Sequence, residues 1–346
     1  MQRLIRVLMI GTVFSIAAAV SAQQPSVEHA QLTARAAEHG LAAELDAAKR
    51  SSSPAWIGWS IPVSERFSSG WGMDRVEFLE GDNSGNSNDG SNEDKKTFDH
   101  AVILLRIASN GVEKLKVENP DRKLDAGGLR FVWLTGVAPD DSVRTLTALV
   151  KQSDTKHLRD TLIFAVSLHQ TPSATEALVG LAGAANDLEI REKAAFWLAN
   201  QRGPEGFRAI QRLARQDSDE SFREKLTFDL TLVKDPAQDA LAELIRMAHE
   251  DASPRVRKQA QFWMATKGGK KVAGDLRGMA ENDPDTQVRK QAVFALSRLP
   301  EDEAATQLIQ VASTNKDPQV RKQAVFWLGQ SKDPRALDYL TKLLQP

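Results

Sequence analysis

The stretch Val320–Ala324, VRKQA, decides the fold, because the same five residues also begin at Val256 and at Val288. The three copies start 32 residues apart. Self-similarity at a fixed period of roughly 20 to 50 residues indicates an array of structural repeats. Matching by residue class extends the series upstream to three more starts: LRDTL at Leu158, IREKA at Ile190 and FREKL at Phe222. The sequence therefore predicts about six repeats.

Each start lies in the first turn of a predicted helix. The residue three positions earlier is always of a type that caps helix N-termini, and these residues are Thr155, Asp187, Asp219, Ser253, Asp285 and Asp317. Pro254 and Pro318 occupy the first helical position in two copies, where the missing N–H of proline is no loss. A second amphipathic segment follows, as in PRALDYLTKLL from Pro334. Two such helices bury their apolar faces only by stacking on the next pair.

These motifs resemble HEAT-like repeats of the short bacterial type, related to those of phycobilisome lyase subunits. The segment Asp317–Leu344, DPQVRKQAVFWLGQSKDPRALDYLTKLL, is similar to that repeat almost throughout. The resemblance covers residues 139–346 and implies an all-α solenoid with a curved surface that binds other proteins. It implies no particular partner.

The N-terminal residues 1–22 predict a secretory signal peptide. Arg3 and Arg6 precede an apolar run, and Ala22 ends an A-x-A-like cleavage site. We therefore expect a periplasmic or secreted protein without stable membrane insertion after cleavage; an uncleaved anchor is the alternative. The chain has no cysteine, which excludes disulfides and thiolate metal sites. Its formal net charge of −1 disfavours nucleic acid as a partner.

Between signal peptide and solenoid, the sequence predicts a peripheral helix with a linker (residues 23–53) and a β-rich module (residues 54–138). The helix is expected from Val27 to about Arg50. Strand signals begin at Trp56, Val76, Ala101, Val112 and Arg130, and Asn110-Gly111 favours a hairpin turn. Residues 81–96 are polar and glycine-rich, which favours a disordered insertion over a calcium site. The predicted fold class is α + β multidomain, with the HEAT-like solenoid after the β-rich module.

Four of the seven tryptophans lie in the β-rich module: Trp56, Trp59, Trp71 and Trp133. Tryptophans of a small β domain are usually core residues. Trp56 and Trp59 are three positions apart and face opposite sides of a regular strand. One of them is therefore a candidate for display, and a carbohydrate or cell-wall binder acting through these rings is one alternative function.

No catalytic motif is found, so we predict no catalytic residues, no metal and no cofactor. The sequence has no GxSxG elbow, no glycine-rich phosphate loop and no HExxH. His249-Glu250 resembles one of the His-Glu pairs by which HEAT-like hydroxylases hold two irons, but a single pair does not make that site. A lyase-like, cofactor-handling enzyme is a second alternative. The favoured function is an exported, non-enzymatic scaffold that binds a protein or peptide.

With each start numbered zero, position +1 is arginine in all six copies. The resemblance implies that this arginine and the aspartate of the turn form a structural ladder between neighbouring repeats, comprising Asp187, Asp219, Asp285, Asp317, Arg191, Arg223, Arg257, Arg289 and Arg321. A side chain repeated in every unit fits stacking better than recognition of a partner. Arg289→Ala is predicted to cost about 1–3 kcal/mol of stability.

Positions 0, +4, +7 and +8 share one helix face, predicted to be core and to include Trp197, Trp263 and Trp327. Positions +2 and +6 lie on the opposite side, where the resemblance places the concave surface. The predicted binding row comprises Phe164, Phe196, Phe228, Phe262, Phe294 and Phe326 at +6, with Asp160, Glu192, Glu224, Lys258, Lys290 and Lys322 at +2. It predicts an exposed aromatic groove, acidic in its first half and basic in its second. In the alternative, each ring tilts into the seam with the next repeat.

Overall fold

The computed structural model of the chain describes residues 24–68, 76–81 and 97–345. The predicted signal peptide, residues 1–22, lies outside this part, as do Trp71 and all of the predicted disordered insertion except Gly81. Within the described ranges, no helix combines the length and the apolarity needed to cross a membrane. A mixed β-sheet near the N-terminus is followed by a two-layer array of helices.

The segment before the predicted β-rich module is not the single helix that its alanine content favours. It forms strands β1 (Val27–Glu28) and β2 (Gln31–Ala36) before helix α1 (Leu41–Lys49) begins. The prediction of a helix from Val27 onwards is therefore wrong for its first half. Strand β2 pairs with strand β8 (Arg130–Thr135), far along the chain, and this tertiary pairing outweighs local preference.

The strands that were predicted from β-branched and aromatic runs are all present. They are β3 (Ala55–Phe67), β4 (Glu77–Phe78), β5 (Phe98–Ala108) and β6 (Gly111–Glu118), with a short additional strand β7 (Leu124–Asp125) before β8. Gly111 adopts a positive φ of 128° at the turn between β5 and β6. One sheet has the order β2-β8-β3-β5-β6, in which β8 is parallel to both neighbours and the other pairs are antiparallel; β1, β7 and β4 form a small parallel sheet.

Both faces of the five-stranded sheet are covered along strands β3, β5 and β8. Trp56 and Trp133 pack with Phe131 in a cluster on the side of the small sheet, whereas Trp59 belongs to the core that faces the helices. Trp56 and Trp59 thus lie on opposite faces, as predicted, but both are completely buried. The expectation that one of them is displayed is wrong, because a sheet with two covered faces has no exposed side.

The helical array begins at α2 (Pro139–Gln152). The first helices of the repeats are α3 (Lys156–Leu168), α5 (Leu188–Gln201), α7 (Glu220–Leu232), α9 (Pro254–Gly268), α11 (Thr286–Ser297) and α13 (Pro318–Leu328). The second helices are α4 (Pro172–Leu181), α6 (Gly203–Gln216), α8 (Ala237–Glu250), α10 (Ala273–Asn282, after a 3₁₀ turn at Gly269–Val272), α12 (Glu301–Thr314) and α14 (Pro334–Leu344). Every first helix begins directly after its predicted cap residue, and the side chains of Asp219, Asp285 and Asp317 accept hydrogen bonds from first-turn amides.

The sheet and the array share one hydrophobic core, which runs from strands β3, β5 and β8 through all the repeats. A buried hydrogen-bond chain also joins them. The indole N–H of Trp59 donates to Ser142 Oγ at 3.0 Å, and Ser142 lies 2.8 Å from His169 Nε2, while His169 Nδ1 donates to the carbonyl of Ala165 at 2.9 Å. The β-rich region thus has one hydrophobic cluster of its own, around Trp56, Phe131 and Trp133, while the core on the other face of its sheet continues into the helices beyond residue 138.

Candidate protein-binding surface

The first helices form the more closely packed of the two layers. Neighbouring first helices contact each other more extensively than neighbouring second helices do. A two-layer array curves toward its more closely packed layer, so the first helices line the inner surface. The +2 and +6 positions of the sequence prediction belong to these helices.

Nine rings form what we call the aromatic strip: Phe164, Phe196, Phe228, Phe262, Phe294 and Phe326 at position +6, and Trp197, Trp263 and Trp327 at position +7. Each tryptophan contacts the phenylalanine of its own repeat and that of the preceding repeat. The ring centre of Trp197 lies 4.9 Å from Phe164 and 4.9 Å from Phe196. Such aromatic pairs contribute about 0.5–1.5 kcal/mol beyond the area they bury.

The same arrangement recurs further along the strip. Trp263 lies 5.0 Å from Phe228 and 4.8 Å from Phe262, and Trp327 lies 5.2 Å from Phe294 and 5.0 Å from Phe326. Phe262 also stacks on Phe294 at 6.3 Å. The strip therefore consists of two groups of contacting rings, one across the first two repeats and one across the last four.

The structure combines features of both alternatives for the phenylalanine row. The rings reach across seams to the next repeat, yet those from Phe164 to Phe294 are only half-buried and Phe326 is 54 % exposed. The three tryptophans were predicted to be core but are half-buried. The reason is that position +7 points to the seam with the preceding repeat and not to the middle of the core. Substitutions in the strip will consequently affect packing as well as any binding.

Position +7 alternates in size along the array. It is tryptophan in the second, fourth and sixth repeats, and Ala165, Asp229 and Ala295 stand there in the first, third and fifth. The small residues are completely buried. The break between the two ring groups falls at Asp229, where a tryptophan would otherwise bridge Phe196 and Phe228.

Asp229 is a buried carboxyl group without a partner. Its exposed fraction is zero, and neither carboxyl oxygen accepts a hydrogen bond among the described residues. Burial raises the pKa of Asp229 to about 8; the positive charge of Lys225 opposes this shift and the negative charge of Glu192 adds to it. This carboxyl group is therefore largely protonated at neutral pH.

The charges at position +2 differ from the predicted simple gradient. Asp160 forms an ion pair with Lys193 at 3.2 Å, and Glu224 forms one with Arg255 at 2.5 Å. Lys258, Lys290 and Lys322 form no ion pair within the described ranges. Since two of the three acids are neutralised by the next repeat, the second half of the row is basic whereas the first half is close to neutral.

The arginines at +1 connect neighbouring repeats. Arg257 donates from Nη1 to the carbonyl of Asp251 in its own turn at 2.8 Å, and from Nε and Nη2 to the carboxylate of Asp283 in the next turn at 2.8 and 3.0 Å. Arg223 makes the same pair of contacts with Asp217 and Asp251. Each arginine thus ties two successive turns together.

The acids of this ladder are mostly not those predicted. Arg289 does bind Asp317, at 2.7 Å, and Arg191 lies 3.5 Å from Asp219. The closer partners of Arg191, Arg223 and Arg257 are two residues upstream of the predicted aspartates, namely Asp217, Asp251 and Asp283. Asp187 makes no ladder contact in the described part of the chain, and Arg321 donates only to the carbonyls of Asn315 and Lys316.

A sequence signal for the missed acids exists. Asp217, Asp251, Asp283 and Asn315 each stand two residues before a cap residue, and each accepts the backbone N–H of that residue through a side-chain oxygen. Each of these side chains is held by this Asx-type turn. The carboxylates of Asp217, Asp251 and Asp283 then bind the arginine of the preceding repeat, Asp251 and Asp283 through both oxygens. The recurring Asp-x-Asp or Asp-x-Ser pattern marks these positions.

The structure gives no support to the other candidate sites, the His-Glu pair and the tryptophans of the sheet. His249 is exposed, and its Nε2 lies 3.7 Å from Asp275. Among the described residues no group of three or more histidine, aspartate or glutamate side chains is placed to hold a metal ion. The buried positions of Trp56, Trp59 and Trp133 remove them as an aromatic platform for carbohydrate.

The residues 273–346 match the family described as HEAT repeats. The C-terminal repeats are HEAT repeats. The upstream HEAT-like repeats have the same two helices, and Arg191, Arg223 and Arg257 make the ladder contacts there, although Thr155, Asp187 and Ser253 form no side-chain cap in the described ranges; the whole array therefore has this fold. A comparison with curated proteins gives no match.

Several solved structures are similar to the chain. Human deoxyhypusine hydroxylase in complex with glycerol is 17% identical, with a TM-score of 0.32 over 60% of this chain and 80% of that one. Kap121p is 13% identical, with a TM-score of 0.40 over 59% and 27%. The complex of CpcE and CpcF of phycocyanin lyase from Nostoc sp. PCC7120 is 18% identical, with a TM-score of 0.29 over 61% and 90%. These similarities support no inference about activity or partner.

Proposed function

We propose that this chain is an exported, non-enzymatic scaffold that binds a segment of another protein along the aromatic strip. The observation that carries the proposal is the strip itself: half-buried rings in contact across the inner surface, beside lysines that form no ion pair with any described residue. Apolar surface of this kind usually marks an interaction site. HEAT-repeat folds commonly serve such a role.

The charges indicate the chemistry of the partner. Lys258, Lys290 and Lys322 repeat at the spacing of the helices, on the same layer as the larger group of rings. A segment that carries apolar residues for the rings and carboxylates for these lysines fits this surface. Because the charges are partly exposed, they will influence the association rate and its salt dependence more than the final affinity.

The proposal is tested by crosslinking and pull-down from the periplasmic fraction of the source organism. The variant Lys258→Glu with Lys290→Glu reverses two charges of the row without touching the ring contacts. A matched control reverses Lys271 and Lys316, two exposed lysines outside the row. We expect the first variant to lose the captured partner and the control to retain it. Capture by both variants, or by neither, contradicts the proposed surface.

Export is proposed from residues 1–22 alone. Mature protein from the source organism should begin at or near Gln23, because Val20 and Ala22 stand at the −3 and −1 positions of the predicted cleavage site. N-terminal mass spectrometry measures this directly. Retention of residues 1–22 would instead support a membrane-anchored scaffold.

A further inference from the structure

The five-stranded sheet has two edges, and they are built differently. Strand β6 forms one edge and strand β2 forms the other. An edge strand presents unpaired N–H and C=O groups that can pair with another chain, and natural sheets usually protect such edges with charged side chains, prolines or bulges. Only one of the two edges here has such protection.

Strand β6 has the sequence GVEKLKVE and carries Glu113, Lys114, Lys116 and Glu118. It also has a register shift in its pairing with β5. Charged side chains at this density oppose the addition of another strand, because pairing would bring them close to the side chains of the added strand. Glu113 and Lys116 are themselves paired with Arg106 and Glu77 within the chain, so the register shift and helix α3, which contacts β6, add to the protection of this edge.

Strand β2 has the sequence QLTARA, and all six of its residues are exposed. Its only charged residue, Arg35, is held within the chain by Glu44 at 2.6 Å. It contains no proline, and its pairing with β8 is regular over the whole strand. Leu32 is 40% exposed. This edge has none of the usual features that prevent pairing.

The free hydrogen-bonding groups of β2 can be assigned. The N–H of Gln31 donates to Leu129 and that of Ala37 donates to Thr135, both on the side of β8. Since these directions alternate along a strand, the N–H and C=O groups of Leu32, Ala34 and Ala36 point away from the sheet. Nothing in the described part of the chain covers them.

We propose that a second copy of this chain pairs with β2, antiparallel about a twofold axis at Ala34, and joins the two sheets into one. In this register Ala34 faces Ala34 of the other copy, and Leu32 faces Ala36. All three outward residues then form hydrogen-bonded pairs, and the large side chain of Leu32 is opposite a small one.

The charge pattern selects this register. With Ala34 on the axis, Arg35 faces Thr33 of the other copy. A shift of the axis by one residue toward the C-terminus would place Arg35 opposite Arg35, and like charges directly opposite destabilise a strand pair. A shift toward the N-terminus would leave Ala36 without a partner in β2. The sequence QLTARA is thus complementary to itself in one register, which favours a copy of the chain over an unrelated strand.

The oligomeric state of the purified chain tests the proposal, by light scattering during gel filtration and by analytical ultracentrifugation. We expect a mass of twice the monomer that is halved by Ala34→Pro. That substitution removes only an outward N–H and leaves the pairing of β2 with β8 intact. A monomeric wild-type chain, or a dimer that is unchanged by Ala34→Pro, would overturn the inference.

A second experiment does not depend on proline. Ala34→Lys and Ala34→Glu should each give monomers, because like charges then face each other across the axis. An equimolar mixture of the two should form a heterodimer, since the charges are then opposite. Circular dichroism of each variant confirms that the fold is kept. If the mixture stays monomeric, or if either variant alone remains a dimer, residue 34 does not face its counterpart and the proposed register is wrong.

Discussion

The tryptophans of the sheet and those of the helical array differ in burial and in hydrogen bonding. Trp56 and Trp59 are completely buried, and each indole N–H has an acceptor, Glu80 at 2.7 Å and Ser142 at 3.0 Å. Trp197, Trp263 and Trp327 are half-buried, and their indole N–H groups have no hydrogen-bond partner in the described part of the chain. The first set is fixed by packing and by hydrogen bonds; the second is fixed by ring contacts and by packing against the edge of the core, without a hydrogen bond from the indole N–H in the described ranges.

This difference separates a structural use of tryptophan from a surface use. A buried N–H without an acceptor costs about 1–3 kcal/mol. The array accepts that cost three times in equivalent positions, next to rings that are incompletely covered. The sheet has no comparable deficit at Trp56 and Trp59, because both of their indole N–H groups are hydrogen-bonded.

The largest expected effect is on the sheet. Trp59→Ala should cost about 3–5 kcal/mol of unfolding free energy, because it leaves a cavity between sheet and helices and removes the donor to Ser142. Trp263→Ala, in the array, should cost about 1–2 kcal/mol, because part of that ring is in contact with water. Urea denaturation of the two variants measures both values. Equal costs would mean that the tryptophans of the array are core residues.

The second effect concerns the contribution of the arginine ladder to the stability of the array. Arg257→Ala should cost about 3 kcal/mol, because Asp283, which is buried, loses the positive charge that compensates it. Arg321→Ala is the matched control, since Arg321 binds only backbone carbonyls; its cost should stay below about 1.5 kcal/mol. The same denaturation experiment applies. If Arg321→Ala lowers the unfolding free energy as much as Arg257→Ala does, the contact of Arg257 with Asp283 in the next turn contributes little to stability.

The smallest effect is a dependence on pH with opposite sign in the two regions. Burial lowers the pKa of His169, which belongs to the hydrogen-bond chain of Trp59, to about 4 from an ordinary value of 6.5. As the pH falls below 6.5 the unfolded chain takes up this proton first, so His169 contributes stability above pH 6.5 that is lost on acidification. The loss is about 2 kcal/mol at pH 5. His169→Gln should remove this part of the pH profile.

The effect of Asp229 on stability has the opposite dependence on pH. The pKa of Asp229 is raised in the folded chain to about 8, so the unfolded chain releases the proton first as the pH rises above 3.8. The folded chain therefore has its full stability with respect to this group below pH 3.8, and that stability is lost as the pH rises through 8. Asp229→Asn should therefore stabilise the chain at pH 8 relative to pH 5, as seen by thermal melting at both values. A pH profile unchanged in this variant would place the charge of Asp229 in contact with water.

Much of the fold follows from the sequence because its signals are local. Cap residues and helix periodicity placed the first helices, and β-branched runs placed strands β3 to β6 and β8. The strand at Gln31–Ala36 was missed because its only support is a distant partner, β8. Local alanine content indicated a helix instead.

The candidate site was predicted less completely, for a geometric reason. A helical period assigns a side chain to a face but does not say how far it leans toward a neighbouring helix. Trp263 was therefore assigned to the core when its ring fills a seam, and the phenylalanines could be given two positions. In the ladder, Asp251 was overlooked because its role depends on a turn that orients its carboxylate toward Arg223 of the preceding repeat.

The alternation of large and small residues at position +7 means that the unit of construction is a pair of repeats. Each tryptophan follows a repeat whose own +7 residue is small, as Trp327 follows Ala295. Removal of one internal repeat would break this alternation: loss of the third or fifth would bring two tryptophan-bearing repeats together, and loss of the second or fourth would bring together two repeats with a small +7 residue. Removal of two adjacent repeats would preserve the alternation. Internal insertions and deletions thus keep the alternation only in steps of two repeats, whereas repeats can be added or lost at the ends one at a time.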